Sequence, residues 1–433
     1  MNLTTELRYG DVGLSLTHPG PPSCQVLSAA SMPKQQLDRE KVEVALANPV
    51  GCKPFDQVFK PGEKLTIIVP DVTRYSGMEI FLLPVIDRLN TIGVPDNNIT
   101  IIFATGIHRG HSEKERVALV GPDVARRILL VDHDSHNSEM ESIYVPEIDS
   151  KVMLNRKVLQ CDKLIITGVI SYHYLAGFGG GRKAIMPGVS SFDDALKFHF
   201  YSLNKFGSGR HPNAKAGNID GNQMHWYANS VMRAVNPAFA INTVQDAHGN
   251  IVEIFAGETA SVFDLGRRSV VKLSGVMIDS LADVVVASCG GYPNDINMVQ
   301  VHKTLEHVTS ALKTGGKLFL LAACPDKFGS EYFRKWFDYG SPDQIEDELR
   351  RNFHINGQTA YSVALKAQKF CITMLCDGIA SEDILAMGIT SAESKESFLS
   401  EVDSALRAAK ISYVIAQGGS LLPIRRRPLL KPN

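Results

Sequence analysis

The chain has 433 residues, a mass of 47.4 kDa and a net charge of -1, from 45 basic and 46 acidic side chains. This length exceeds what one hydrophobic core usually organises, so a single small module is excluded and two domains are expected. The balanced charge excludes a general attraction to nucleic acid or to anionic lipid, and 44% hydrophobic residues give no sign of disorder, so we expect a globular protein with a small ligand.

The N-terminal residues, the lack of a long apolar run and the cysteines together predict a cytoplasmic protein. The first ten residues carry Glu6 and Arg8 without an apolar run, and so lack the features of a secretory signal. No stretch approaches the roughly 18 consecutive apolar residues of a membrane span. The seven cysteines are scattered and form no C-x-x-C pair, which favours buried, reduced thiols over a redox or zinc role.

Buried strands and amphipathic helices alternate in the first half of the sequence. The predicted elements are a strand at 64–71, a helix at 78–91 ending at Gly93, a strand at 98–106, a helix at 112–120, and strands at 128–132 and 161–170. A long polar region, 204–222, follows. This alternation is typical of a parallel sheet covered on both faces by helices.

The alternation restarts around residues 266–283. The predicted elements are a strand at 283–288, a helix at 296–312, a strand at 317–322, a helix from the N-cap Ser341 to about Asn352, and strands at 370–375 and 411–416. We therefore predict an α/β protein of two doubly wound, Rossmann-like domains, residues 1–270 and 271–433.

Polar residues follow the predicted strands, where ligands bind in open α/β sheets. They are Asp71, Thr73 and Arg74 after the first strand, His108 and Arg109 after the second, residues 173–183 after the fourth, and residues 290–295 with Gln300 and Lys303 in the second domain.

The glycine-rich segment 177–183 would let backbone N–H groups approach an anion. It is not a Walker A motif, because Arg182 precedes Lys183 and Ala184 follows it, and it lacks G-x-G-x-x-G spacing. A standard ATP or NAD site is therefore not indicated. A purely structural turn stays open as an alternative, although it leaves the adjacent Arg182 and Lys183 unexplained.

Six histidines in the predicted first domain raise the question of zinc. They are His108, His111, His133, His136, His173 and His199, and two pairs have H-x-x-H spacing. Without an H-E-x-x-H motif or a suitably spaced cysteine, a closed zinc site is not favoured. His108 and His173 each follow a strand, where an imidazole can act as a general base. His133 and His136 are expected to be exposed to solvent.

Five ordered motifs carry a resemblance to a known family. They are Asp71-x-Thr-Arg74, Gly106-x-His108-Arg109, His173-x-x-x-Gly177, Gly179-Gly-Gly-Arg-Lys183-x-x-x-Pro-Gly188 and Gly290-Gly-x-Pro-x-Asp295. Together they resemble the nickel-dependent lactate racemase family, from about residue 71 to the final strand. The resemblance implies an isomerase that racemises or epimerises a 2-hydroxy acid.

The resemblance also implies a cofactor. In that family a nickel pincer nucleotide, a pyridinium derivative with two thio-acid groups and a phosphate, is joined to a lysine through a thioamide. The motif places this attachment at Lys183, and His199 resembles the protein's ligand to nickel. The other cofactor-binding residues that the resemblance implies are Arg182, Gly179, Gly180, Gly181, Asp71 and Thr73, with the glycine loop and Arg182 receiving the phosphate.

The implied reaction is hydride transfer through a 2-oxo acid. His108 and His173 match the family's pair of bases, which must be neutral to accept the hydroxyl proton of either enantiomer. Arg74, Gln300 and Lys303 resemble its substrate-binding residues. Since the last two lie in the second domain, the active site is expected in the cleft between the domains.

The implied partners are a small 2-hydroxy acid substrate and the enzymes that make the cofactor, with no nucleic acid and no membrane. Val299 stands where lactate-type members carry an aromatic residue, and Gly181 and Ala184 stand where serine is familiar in the family. A longer 2-hydroxy acid, or C2 epimerisation of a sugar acid (an aldonate), therefore stays open beside lactate. Two further alternatives are a catalytically silent small-molecule binding protein and a lyase that uses Lys183 to form a Schiff base.

Overall fold

The computed structural model describes residues 2–30 and 37–426. Its strands are β1 (Asn2–Tyr9), β2 (Val12–Pro19), β3 (Cys24–Leu27), β4 (Leu65–Pro70), β5 (Ile99–Ala104), β6 (Leu129–Asp132), β7 (Met140–Val145), β8 (Ser150–Asn155), β9 (Lys163–Ile170), β10 (Tyr172–His173), β11 (Gly177–Phe178), β12 (Phe239–Gln245), β13 (Ile251–Gly257), β14 (Gly275–Ile278), β15 (Ala282–Ser288), β16 (Leu312–Leu321), β17 (Cys371–Leu375), β18 (Thr390–Ser391), β19 (Ser412–Ile415) and β20 (Leu422–Arg425).

The α-helices of the described chain alternate with many of these strands. They are α1 (Arg39–Ala47), α2 (Met78–Ile92), α3 (Glu113–Val120), α4 (Pro122–Arg127), α5 (Arg156–Leu159), α6 (Phe192–Phe200), α7 (Gln223–Val235), α8 (Thr259–Ser274), α9 (Met298–Val308), α10 (Glu331–Lys335), α11 (Pro342–Arg351), α12 (Ile355–Lys369), α13 (Ser381–Ala386) and α14 (Lys395–Ala408). None of the described helices is long and apolar enough to cross a membrane.

The chain forms two compact α/β units, each built on a sheet with parallel strands. The first unit comprises residues 37–205 and 210–272, and the second comprises residues 2–30, 206–209 and 273–426. The predicted fold class, α/β with parallel sheets and helices, is confirmed.

The first unit is doubly wound. Its main sheet has the strand order β13-β12-β9-β4-β5-β6, in which β12, β9, β4, β5 and β6 are parallel and β13 is antiparallel to β12. Neighbouring residues of β4, Ile67 and Ile68, lie in two different hydrophobic cores. Phe81 of α2 packs in the first core and Tyr227 of α7 in the second, so helices cover both faces of the sheet.

The second unit contains a sheet of parallel strands in the order β18-β17-β16-β15-β19-β3. The predicted domain division placed residues 1–270 together, whereas residues 2–30 lie in this unit. The reason is pairing between distant segments, because β3 pairs with β19. The antiparallel hairpin of β1 and β2 adds Leu7, Leu14 and Leu16 to a core that contains Phe319.

Most predicted elements occur within a few residues of their expected bounds. The prediction that a helix near 78–91 ends at Gly93 is confirmed, because Gly93 adopts the left-handed conformation at the end of α2, with φ 99°. Ser341 caps α11 in a capping box with Gln344, as predicted. The expected helix at 296–312 is shorter, since α9 ends at Val308 and β16 begins at Leu312.

Candidate functional site

The order of strands in the first unit's sheet reverses beside β4. The chain runs from β4 to β5 and β6 on one side, and then returns to β9 and β12 on the other. Ligands of open α/β sheets bind at such a reversal, beyond the carboxyl ends of the strands. Asp71 directly follows β4, His108 follows β5 and His173 lies just after β9, so three of the predicted site residues come from adjacent strands.

Asp71 and His108 form a hydrogen-bonded pair. The Nδ1 of His108 lies 2.6 Å from Oδ2 of Asp71, whose side chain is 4% exposed. Thr73 donates to the other carboxylate oxygen from both its backbone N–H and its hydroxyl, at 3.1 and 2.7 Å. Burial raises the pKa of Asp71, but the hydrogen bonds from His108 and Thr73 outweigh it, so the net pKa lies below its usual range. Asp71 is therefore a buried carboxylate that orients His108.

A second histidine, His111, supports this loop and was not identified from the sequence as a site residue. Its Nε2 accepts the backbone N–H of Val72 at 3.0 Å, while its Nδ1 lies 2.6 Å from Oδ1 of Asp132. Asp132 also pairs with Arg116 at 2.6 Å. Since His111 fixes the segment between Asp71 and Thr73, it acts on His108 indirectly. The sequence feature that could have identified His111 as a site residue is its position three residues after His108.

His173 and Lys183 form the second close pair of the site. The Nε2 of His173 lies 3.1 Å from Nζ of Lys183, and its Nδ1 accepts the backbone N–H groups of Leu175 and Ala176 at 3.2 and 3.1 Å. Burial lowers the pKa of Lys183 well below its usual range, and the neighbouring cations Arg74 and Arg182 lower it further. A lowered pKa favours the free amine of Lys183, which is the nucleophilic form.

The glycine loop before Lys183 is held by Asn242 of β12. Asn242 is fully buried, and its Oδ1 accepts the backbone N–H of Gly181 at 3.0 Å. Gly180 has φ +68°, and a Cβ there would lie 2.8 Å from the carbonyl oxygen of Val169. Only glycine therefore fits this turn. Gly179 differs, because a Cβ there would meet nothing closer than 3.4 Å.

Arg182 brings positive charge into this part of the structure. It is 1% exposed, its Nη2 donates to the carbonyl oxygens of Ala176 and Phe178, and its guanidinium lies 4.3 Å from the ring of Phe263. Burial lowers the pKa of Arg182 to about 9, so it is still a cation at neutral pH. Its Nε and Nη1 have no hydrogen-bond partner among the described residues. A buried, uncompensated cation favours an anionic group nearby.

His199 lies on α6, next to Phe198, whose ring is 4.9 Å from Nζ of Lys183. His199 also contributes to the low pKa of His173, after burial, Lys183 and Arg74. Within the described residues, no group of three or more His, Cys, Asp or Glu side chains could hold a metal ion. A metal in this site would therefore need donors from outside the protein. The nucleophilic Lys183, the cations around it and a single imidazole suit an anionic, sulfur-rich metal group that brings most of its own ligands.

The predicted substrate residues Gln300 and Lys303 lie in the second unit, on the first turns of α9. Nζ of Lys303 donates to Oε1 of Gln300 at 2.6 Å, and the N-cap Asn297 accepts the backbone N–H of Gln300. Asp295, which closes the Gly290 motif, is fully buried and accepts backbone N–H groups of Gly10 and Ala323. The second-unit motif therefore fixes the loop before α9.

The expectation that His133 and His136 are both exposed is half wrong. His136 is exposed, but His133 is 1% exposed, and its Nε2 donates to the carbonyl oxygen of Ser190 at 2.8 Å. Burial lowers the pKa of His133, so it is neutral. His133 and His136 also line a cavity of about 700 Å³ beside His108, together with Arg109, Asp134 and Asn137.

Two family models match the chain. One is described as the lactate racemase N-terminal domain, over residues 9–209, and the other as the lactate racemase C-terminal domain, over residues 278–422. The lactate racemase of Thermoanaerobacterium thermosaccharolyticum is 32% identical over 335 residues, which are 77% of this chain and 77% of that protein. The lactate racemase of Lactiplantibacillus plantarum is 30% identical over 326 residues, 75% of each chain.

Solved structures agree with the sequence comparisons. The lactate racemase apoprotein from Thermoanaerobacterium thermosaccharolyticum superposes with a TM-score of 0.86 and 30% identity, covering 98% of this chain and 100% of that one. A Thermotoga maritima protein solved by structural genomics gives a TM-score of 0.64 at 16% identity, covering 92% of this chain and 100% of its own. The second likeness shows the fold alone.

Proposed function

The chain belongs to the lactate racemase family, and from this membership we propose that it is an isomerase that racemises or epimerises a 2-hydroxy acid with a nickel pincer nucleotide attached to Lys183. The observation that carries the proposal is the amine of Lys183, which lies 3.1 Å from Nε2 of His173 and whose pKa is lowered by burial and by the cations Arg74 and Arg182. An amine whose pKa is lowered is acylated more readily than that of an ordinary surface lysine.

The residues that would hold the cofactor come from one loop and one helix. Lys183 would carry the covalent link, His199 would donate its imidazole to nickel, and the loop 179–181 with Arg182 would face the anionic groups. When bound, the cofactor supplies a hydride acceptor. Asp71 and Thr73 are expected from the resemblance to bind the cofactor. Because Thr73 donates to Asp71 and Asp71 bonds to His108, we propose that both orient His108 instead.

We propose that two histidines, His108 and His173, transfer the proton. Because Asp71 accepts the N–H at Nδ1 of His108, the Nε2 of that ring carries the lone pair that can take the substrate's hydroxyl proton. The exposed side chain of Arg74 would bind the substrate carboxylate, and Gln300 and Lys303 are proposed to bind it as well. His173 is the proposed base for the other enantiomer.

The cavity that His108 lines offers room for a substituent larger than the methyl group of lactate. A methyl substituent needs only a small apolar pocket, whereas this cavity of about 700 Å³ has polar lining residues that include Arg109, Asp134 and Asn137. Together with Val299 in place of an aromatic residue, it makes a sugar acid or another polar 2-hydroxy acid the second candidate substrate class beside lactate.

One experiment tests the proposal as a whole. The chain is expressed with and without the enzymes that make the cofactor, and its intact mass and nickel content are measured. We expect one cofactor per chain, absent in Lys183→Ala. The loaded protein is then incubated in deuterated water with single-enantiomer lactate, other 2-hydroxy acids and aldonates. Inversion with retention of hydrogen at Cα supports the hydride route, whereas solvent deuterium at Cα contradicts it.

The same experiment separates the alternatives. A chain that never gains mass or nickel, binds hydroxy acids and turns over none of them is the silent binding protein. A chain that is trapped by borohydride with substrate and without metal is the Schiff-base enzyme, which the lowered pKa of Lys183 also favours.

A further inference from the structure

The two ring nitrogens of His173 have different hydrogen-bonding partners. Nδ1 faces two donors, the backbone N–H groups of Leu175 and Ala176, at 3.2 and 3.1 Å. A neutral imidazole has one N–H and one lone pair. Since the lone pair must face the two backbone donors, the proton of neutral His173 lies on Nε2.

This assignment determines what Lys183 contributes. Nζ of Lys183 lies 3.1 Å from the Nε2 that carries the proton. An ammonium group has three donors and no acceptor, so an Nε2–H can hydrogen-bond only to the lone pair of a free amine. The charged groups that act on the pair are Arg74, Arg182 and His199, and both arginines favour the free amine.

His108 has the opposite arrangement. Its Nδ1 lies 2.6 Å from the carboxylate of Asp71, which is only an acceptor, so in the neutral ring the proton is on Nδ1 and the lone pair is on Nε2. In the chain without cofactor, His108 therefore presents a lone pair at Nε2, while His173 uses its Nε2–H to contact Lys183.

We propose that the amine of Lys183 accepts a hydrogen bond from Nε2–H of His173 until Lys183 is acylated. Acylation breaks this hydrogen bond, and Nε2 of His173 can then face another partner in the site. This inference rests on the proposed function, because the acylating group is the thio-acid of the cofactor. In forming the thioamide, Nζ bonds to the thio-acid carbon, the C–O bond breaks, and the hydroxyl leaves with one amine proton as water. No electrons are gained or lost.

The release follows from the chemistry of the product. A thioamide nitrogen delocalises its lone pair and keeps one N–H, so it is a donor and no longer an acceptor. Two N–H groups would then face each other across 3.1 Å, and an unsatisfied donor in a partly buried site is unfavourable. The ring is then free to turn its Nε2 toward another partner, such as the oxygen of a bound substrate. To act there as the base of the proposed function, His173 must also move its proton to Nδ1, which requires that Nδ1 turns away from the N–H groups of Leu175 and Ala176. His173 is thus a positioning residue for Lys183 before attachment and is freed for the substrate after it.

Nitrogen NMR of the full chain labelled at its histidine rings tests the proposal. His108→Gln and His173→Gln assign the two signals. In the cofactor-free protein we expect His173 to be protonated at Nε2 and His108 at Nδ1. Lys183→Met removes the acceptor without adding a donor, and we expect the Nε2–H of His173 to exchange with water roughly fivefold faster or more, as for the loss of one hydrogen bond. Lys151→Met, at an exposed position of β8, is the matched control and should change neither ring.

Three results would overturn the proposal. They are protonation of His173 at Nδ1 in the cofactor-free chain, a Lys183→Met spectrum identical to that of the Lys151→Met control, and unchanged His173 signals in protein whose intact mass shows full attachment. A chain that never takes up cofactor would instead refute the proposed function, while the spectra of the cofactor-free chain and of Lys183→Met would still decide this inference.

Discussion

Replacing Asp71 by asparagine is the most informative single change in the site. The carboxylate is buried, and it receives the N–H of His108 at 2.6 Å, which fixes the proton on Nδ1 and leaves the lone pair on Nε2. An amide of the same size removes the charge and can present its own donor to the ring. His108 can then hold its proton on Nε2, where it is no longer a base.

The expected size of the effect follows from that one hydrogen bond. A hydrogen bond to a charged group contributes about 1.5–3 kcal/mol, which corresponds to roughly a 10- to 150-fold loss in kcat. Thr73→Val is the matched control, because it removes only the hydroxyl that donates to Asp71 at 2.7 Å. Since Thr73 is exposed, we expect about a tenfold loss or less from that change.

The assay is the initial rate of racemisation by protein of known cofactor content, with each enantiomer as substrate. Asp71→Asn should keep its cofactor and lose rate in both directions. The free energy of unfolding as a function of pH is a second measurement, because the pKa of Asp71 lies below the unfolded value of about 3.9. The stability that this carboxylate contributes is present above about pH 3.9 and is lost as the pH falls through the folded pKa. A fully loaded Asp71→Asn enzyme within threefold of the wild-type rate would refute the orienting role.

Three further changes have definite expected outcomes. Relative to wild type, Lys183→Met should be most favourable for stability at neutral pH, because the low pKa of Lys183 means that the unfolded chain binds more protons; this advantage should shrink as the pH approaches about 10.4, and a difference in thermal midpoint that does not change with pH would contradict the lowered pKa. Gly180→Ala should destabilise the first unit by about 1–3 kcal/mol in denaturant unfolding, whereas Gly179→Ala should be tolerated, and equal effects would contradict the strain argument. Lys303→Met should raise KM for the hydroxy acid about tenfold or more with little change in cofactor content, and an unchanged KM would remove Lys303 from the substrate site.

Local sequence patterns determined the secondary structure and much of the candidate site. The apolar run of β4 predicted a strand buried on both faces, and Gly93 and Ser341 marked helix ends, because these signals act over a few neighbouring residues. The ordered motifs also placed Asp71, His108, His173 and Lys183 in one site, since the loops after adjacent parallel strands share one edge of the sheet.

Only the tertiary structure decided what depends on residues far apart in the chain. Residues 2–30 join the second unit because β3 pairs with β19, and no local pattern specifies that partner. His133 is buried although its neighbours in sequence are polar, because its ring meets the carbonyl of Ser190. The lowered pKa of Lys183 and the hydrogen bond that Asn242 accepts from Gly181 also depend on distant residues, since burial and electrostatic neighbours are set by packing across the sheet.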